Sequence, residues 1–150
     1  MSNLCVEILH PLKPQRFTDD PDAEIGVCVL GATNMLNIKN DIEHEEVCRV
    51  MVRSLDNLID VQEYSIKANE KFARNKRSLG IGISNLSAWL ASKGLNQNSP
   101  EAPQVISDFM EKHGATSVYS SLHVTPFMPG QHAWFVVSSN RFSDTGILIS

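Results

Sequence analysis

Residues 40–64, NDIEHEEVCRVMVRSLDNLIDVQEY, constrain the fold of this chain more than any other stretch. Val47, Met51, Leu55 and Leu58 recur at helical spacing and predict an amphipathic helix. Asn40 or Asp41 can cap its start, and Asn40 with Glu43 has capping-box spacing. Short apolar segments lie on either side. EIGVCVL (24–30) is rich in Val and Ile and reads as extended, and LGIGI (79–83) as extended or a tight turn. Residues 3–10 read as a strand ended by Pro11, with Pro14 and Pro21 blocking regular pairing beyond it. DDPDAE (19–24) reads as a solvated acidic loop. Residues 67–78 suit a short basic helix or a loop. SNLSAWLASKG (84–94) predicts a helix with Ser84 as cap and Gly94 just past its end. After the polar break NQNSP (96–100), residues 103–114 predict a last helix ending at Gly114. From there the chain turns to Ser, Thr, aromatics and turn residues, with HAWFVVSS (132–139) as a strand. A composition boundary falls near residues 96–115.

Composition narrows the function classes. The chain has 150 residues, 42% hydrophobic and 20% charged, which suits one globular domain. A free-standing domain of this size buries about 70% of its unfolded surface. The formal net charge of −4 gives no reason to expect nucleic acid or an anionic membrane as partner. No apolar run approaches the roughly 20 residues that span a bilayer, and no signal peptide is recognisable at Met1. The expected compartment is therefore the cytoplasm. Cys5, Cys28 and Cys48 do not form a secreted disulfide framework.

The row NLCVEI raises a chemical question. On a strand, Leu4, Val6 and Ile8 share one face, and Asn3, Cys5 and Glu7 share the other. The pattern by itself fits an ordinary half-exposed strand as well as an active-site edge. A carboxylate beside a thiol raises the thiol's pKa, which argues against a protease-type nucleophile. One-electron chemistry is not opposed, because a thiyl radical is neutral. Glu7 can then act as general base towards a substrate hydroxyl, and the Asn3 amide can hold that hydroxyl. Cys28 lies 23 residues after Cys5 in an apolar segment. It is either a small buried hydrophobe or a redox thiol facing the same pocket. Cys48 reads as packing in its helix. Gly80 and Gly82 are too few for a phosphate loop. Arg74, Lys76 and Arg77 could meet phosphate but read better as a solvated basic turn. His123 and His132 lack a third ligand, so no metal site is expected. Phe127, Trp134 and Phe135 read as a small core or an interface.

NLCVEI, EIGVCVLGATNMLNI, SLDNLIDVQEY and NKRSLGIGISNLSAWLASKG together resemble the large, catalytic subunit of class I ribonucleotide reductase over about residues 2–95. The resemblance implies an α/β fold, a fragment of that family's ten-stranded α/β barrel. Residues 96–150 then form a divergent extension, α+β or irregular. It also implies roles. Cys5 matches the cysteine that becomes a thiyl radical and abstracts the ribose 3′-hydrogen. Glu7 matches the carboxylate that takes the 3′-hydroxyl proton, and Asn3 the amide that orients the substrate hydroxyls. Cys28 matches one cysteine of the reducing pair, oxidised to a disulfide as the 2′-hydroxyl leaves as water. The active-site row lies on a loop in that fold, so the strand at 3–10 is in question.

Other parts of the family pattern have no counterpart here. Tyr64 and Tyr119 are too far apart to match its adjacent radical-relay tyrosines, and no cysteine follows Cys48. The implied cofactors therefore belong elsewhere: a radical from a metal-containing small subunit, and ATP or deoxynucleotide effectors. Implied partners are the remaining large-subunit fragments, the small subunit, a ribonucleoside diphosphate, and thioredoxin or glutaredoxin. The chain alone is expected to be aggregation-prone and inactive, because barrel strands without neighbours expose edges and apolar surface. A non-catalytic truncated relic or interaction module is the alternative. A stand-alone thiol–disulfide protein is a weaker one, lacking CxxC.

Overall fold

A computed structural model describes residues 12–124 together with 135 and 136. The expected strand at 3–10 lies outside them. Three strands, β1 (Val29–Asn34), β2 (Leu79–Ser84) and β3 (Phe135–Val136), form one sheet in the order β1-β2-β3. Both pairings are parallel, with Val29 opposite Leu79 and Leu79 opposite Phe135. Parallel neighbours cannot be joined by a hairpin; each needs a crossover. The first crossover carries α1 (Asp41–Val61) and α2 (Lys67–Lys76), and the second α3 (Leu86–Ser92) and α4 (Ala102–Val124). This is a mixed helix-and-strand α/β unit.

α1 starts as its cap residues predict. Asn40 Oδ1 accepts from the Glu43 N–H at 2.9 Å. The reciprocal bond differs from a standard capping box, because Glu43 Oε2 accepts from the Lys39 N–H at 2.8 Å. The buried stripe is His44, Cys48, Val52, Leu55, Asp56 and Ile59. Leu58, expected on the apolar face, is 41% exposed, and Val47 and Met51 sit on its flank. The face is rotated because it takes in a histidine and a cysteine that a hydropathy pattern leaves out. Val52, Leu55 and Ile59 close on Ala73, Leu79 and Ile81, with Val27, Val29 and Met51 at the edge. Each fully buried aliphatic there contributes roughly 1.5–3 kcal/mol. The β1 backbone lies close under α1: a Cβ on Gly31 would stand 2.6 Å from Met51 Sδ.

Several boundaries differ from expectation. β1 begins at Val29 and runs through Asn34, because residues 29–34 all pair with β2. Ser84 ends β2 and donates its hydroxyl to the Thr33 carbonyl, while Asn85, at φ 66°, precedes α3. Expected to stop at Gly114, the last helix instead continues to Val124. An interior glycine costs only about 1 kcal/mol, and packing of α4 on α1 overrides it. DDPDAE is not a wholly solvated loop: Asp20, Ala23 and Glu24 are buried. The Asp20 carboxylate accepts from the Arg16 guanidinium and from the Arg16 and Asp22 N–H groups. Its pKa is held well below the usual carboxylate range by Arg16.

The basic segment 67–78 is mostly helix, and its end is tied to α1. Arg77 follows α2 in the left-handed region at φ 46°. Its Nε donates to Asp56 Oδ1 at 2.6 Å, and two further N–H groups donate to the Asp60 carboxylate at 2.9 Å each. Hydrogen bonding to Arg77 lowers the Asp60 pKa. Arg74 also reaches Asp60 and Glu70. These arginines therefore bind α1 and α2 together rather than forming a solvated turn. Arg77→Ala should destabilise the fold by about 3 kcal/mol, because Asp56 loses its partner in a nearly buried place. Arg77→Gly should destabilise by about 1 kcal/mol less, since glycine accepts the left-handed backbone. Urea unfolding of both variants measures the difference.

Candidate functional site

Asn3, Cys5 and Glu7 lie outside the described residues, so their geometry is not part of the site built here. Cys28 is described, half-buried and one residue before β1. Its orientation follows from its neighbours. Val27 and Val29 both pack on the core beneath α1. Alternation then turns Cys28 to the opposite face of the sheet, with Leu30, Ala32 and Asn34. Leu30 is 54% exposed, and Ala32 and Asn34 are exposed too. Gly80 of β2 shares this face, since a Cβ there would meet Leu30 Cδ2 at 2.4 Å. Helices among the described residues thus roof one sheet face and not the other, which bears Cys28. Among the described residues no helix is long and apolar enough to cross a membrane.

A second group of reactive side chains lies on the helix side. His44 and Cys48 are one turn apart on α1, and His113 faces them from α4. All three are buried. His44 Nε2 and His113 Nδ1 are 2.9 Å apart, and Cys48 Sγ is 3.7 Å from His113 Nδ1. His113 Nε2 lies 3.3 Å from the Ile81 carbonyl oxygen, which can only accept, so Nε2 carries the proton. The Nδ1 lone pair then faces Cys48 and His44. Ser117 Oγ donates to Cys48 Sγ at 3.8 Å. The His44 ring stacks on Phe109, with centroids 5.0 Å apart, and lies edge to edge with His113, their planes 5° apart and centroids 5.2 Å apart, while Trp89 meets Phe109 edge-on.

Hydropathy periodicity passes over this cluster. Its one visible sign is the i, i+4 spacing of His44 and Cys48 on a predicted helix, and His113 comes 65 residues after Cys48. A thiol beside an imidazole suggests a nucleophile, but burial pushes the Cys48 thiol pKa up. A buried thiol with a raised pKa is a poor nucleophile towards substrate. The donor set suits a metal ion better: the three ligand atoms all lie within 4.8 Å of one another. Burial lowers the pKa of His44, and burial and the neighbouring His44 lower that of His113 to about 4.

Both imidazoles are therefore neutral near pH 7. An unfolded histidine titrates near 6.5, so the unfolded chain binds more protons between that pH and about 4. Stability from these neutral rings is fully present above pH 6.5 and lost as pH falls towards 4. The loss from His113 should be on the order of 3 kcal/mol. Urea unfolding with a chelator present, across pH 7 to 4, should show it. His113→Gln should remove most of the slope.

A family model described as the ribonucleotide reductase barrel domain matches residues 1–143. The ribonucleoside-diphosphate reductase subunit alpha of Haemophilus influenzae is 42% identical over 101 residues, 67% of this chain and 13% of that subunit. The subunit alpha of enterobacteria phage T4 is 44% identical over 93 residues, 61% of this chain and 12% of the subunit. That of Bacillus subtilis is 33% identical over 131 residues, 82% of this chain and 18% of the subunit. The chain thus spans well under a fifth of the length of these relatives. The parallel α/β sheet with helices on one face agrees with the match, and the chain belongs to the ribonucleotide reductase barrel-domain family.

Proposed function

We propose that this chain supplies the central catalytic row and one reducing thiol of a ribonucleoside-diphosphate reductase large subunit. Cys5 carries the thiyl radical that takes the ribose 3′-hydrogen. Glu7 accepts the proton of the 3′-hydroxyl, and Asn3 holds the substrate hydroxyls. Cys28 is one of two thiols oxidised to a disulfide as the 2′-hydroxyl departs as water. The other thiol, the radical source and the effector sites belong to parts outside these 150 residues.

The position of Cys28 carries this reading. A parallel sheet is stable when both faces are covered. Among the described residues helices cover one face, and the other face, with exposed Leu30 and half-buried Cys28, suits the interior of a closed barrel. The chain works assembled with the remaining large-subunit parts. It acts on ribonucleoside diphosphates, draws its radical from a metal-containing small subunit, and is re-reduced by thioredoxin or glutaredoxin. Its place is the cytoplasm, with neither nucleic acid nor membrane as partner. Residues 96–150 are proposed as a divergent extension, although α4 within it packs on α1. A non-catalytic relic gains no support from identities of 42% and 44% to reductase subunits.

The test is reconstitution with the rest of the large subunit, a radical-generating small subunit and a dithiol reductant. Deoxyribonucleoside diphosphate should form with the natural chain. Cys5→Ser should lower the rate at least about a thousandfold, the scale of losing a reacting group. Turnover that survives Cys5→Ser would remove the radical role.

A further inference from the structure

We propose that His44, Cys48 and His113 bind one Zn²⁺ ion that staples α1 to α4. This site is independent of the reductase reading and lies on the other side of the sheet from Cys28. Two imidazoles and a thiolate are a donor set that zinc favours. At usual bond lengths, ligand atoms around tetrahedral zinc stand about 3.3 Å apart for two nitrogens and about 3.6 Å for nitrogen and sulfur. The corresponding separations here are 2.9 Å for His44 Nε2 to His113 Nδ1 and 3.7 Å for Cys48 Sγ to His113 Nδ1. The remaining edge is within 4.8 Å, and the three close on one ion once the two imidazoles, which meet edge to edge, turn so that both lone pairs point to a common centre.

The surroundings are built for ligation. A metal-bound histidine usually donates its other N–H to a carbonyl or carboxylate, which fixes the ring. His113 does this through Nε2 to the Ile81 carbonyl, leaving the Nδ1 lone pair aimed at the cluster. Ser117 donates its hydroxyl to the sulfur, which supports a thiolate. Among the described residues no fourth His, Cys, Asp or Glu joins the group, so the fourth position falls to a water.

The proton balance is defined. Without metal, His44 Nε2–H donates to His113 Nδ1. On binding, the His44 proton moves to its own Nδ1, Nε2 takes the ion, and the Cys48 thiol proton leaves to solvent. One Zn²⁺ therefore enters and one proton is released, with no change of oxidation state.

The experiment titrates the chelator-treated full chain with Co²⁺ as a spectroscopic stand-in, then displaces it with Zn²⁺. One equivalent should produce tetrahedral d–d bands and a thiolate-to-cobalt charge-transfer band, and Zn²⁺ should abolish both. Zn²⁺ should release one proton per chain and raise the thermal unfolding midpoint. Cys48→Ala should remove the charge-transfer band and weaken binding more than about a hundredfold, beyond the effect of losing an outer partner. The double variant Cys5→Ser/Cys28→Ser should leave the band intact. If the natural chain gives no charge-transfer band, the site is refuted whatever the variants do. A band that survives Cys48→Ala and disappears in the double variant refutes it as well.

Discussion

Everything else in this molecule hangs on the parallel ladder between β1 and β2. Two strands whose paired residues are 50 apart in sequence, Val29 with Leu79 and Asn34 with Ser84, can meet in parallel only if the chain crosses back over the sheet. α1 makes most of that crossing and lays its buried stripe on the ladder. The two faces are then unlike. Val27, Val29, Leu79 and Ile81 go under the helix. Cys28, Leu30 and Gly80 go to the open side, where Gly80 makes room for Leu30. The family model that this chain matches is a barrel domain, in which a parallel sheet of this kind is one part of the wall.

The ladder also sorts the reactive groups by face. Cys28 lies on the sheet face opposite α1, the face that the proposed barrel assembly would turn inward. Cys48 belongs to the helix side, where burial keeps it protonated and out of substrate's reach. Two thiols 20 residues apart thus lie on different sides of the ladder, one half-buried and one buried. The charges are divided similarly. Arg77 and Arg74 are held by Asp56, Asp60 and Glu70 between α1 and α2, where they join the two helices.

Much of this was legible in the residues, and what was not has a physical cause. α1 and its Asn40 cap were readable because periodicity and cap chemistry are local signals that agree. LGIGI resolved as a strand, paired along its length with β1, with Gly80 letting Leu30 approach closely. The family was readable because NLCVEI, EIGVCVLGATNMLNI and the later segments together resemble the reductase large subunit; the amide, thiol and carboxylate row alone fits an ordinary strand too. The true buried face of α1 was hidden, as His44 and Cys48 score poorly as core yet lie at its centre. The end of α4 was hidden too: Gly114 is a local stop signal, and contact with α1 outweighs it. The His44–Cys48–His113 cluster joins two helices distant in sequence, and no local pattern reports such a meeting.

The interior placement of Cys28 is tested most directly by single turnover without external reductant. The assembled reductase would be mixed with one portion of ribonucleoside diphosphate, quenched, alkylated, and its disulfides mapped by mass spectrometry. Formation of deoxynucleotide should leave Cys28 in a disulfide in equal amount, with Cys48 alkylated only after unfolding. Product formed while Cys28 remains a thiol would contradict its place in the reducing pair and the barrel-interior assignment of the face that carries it.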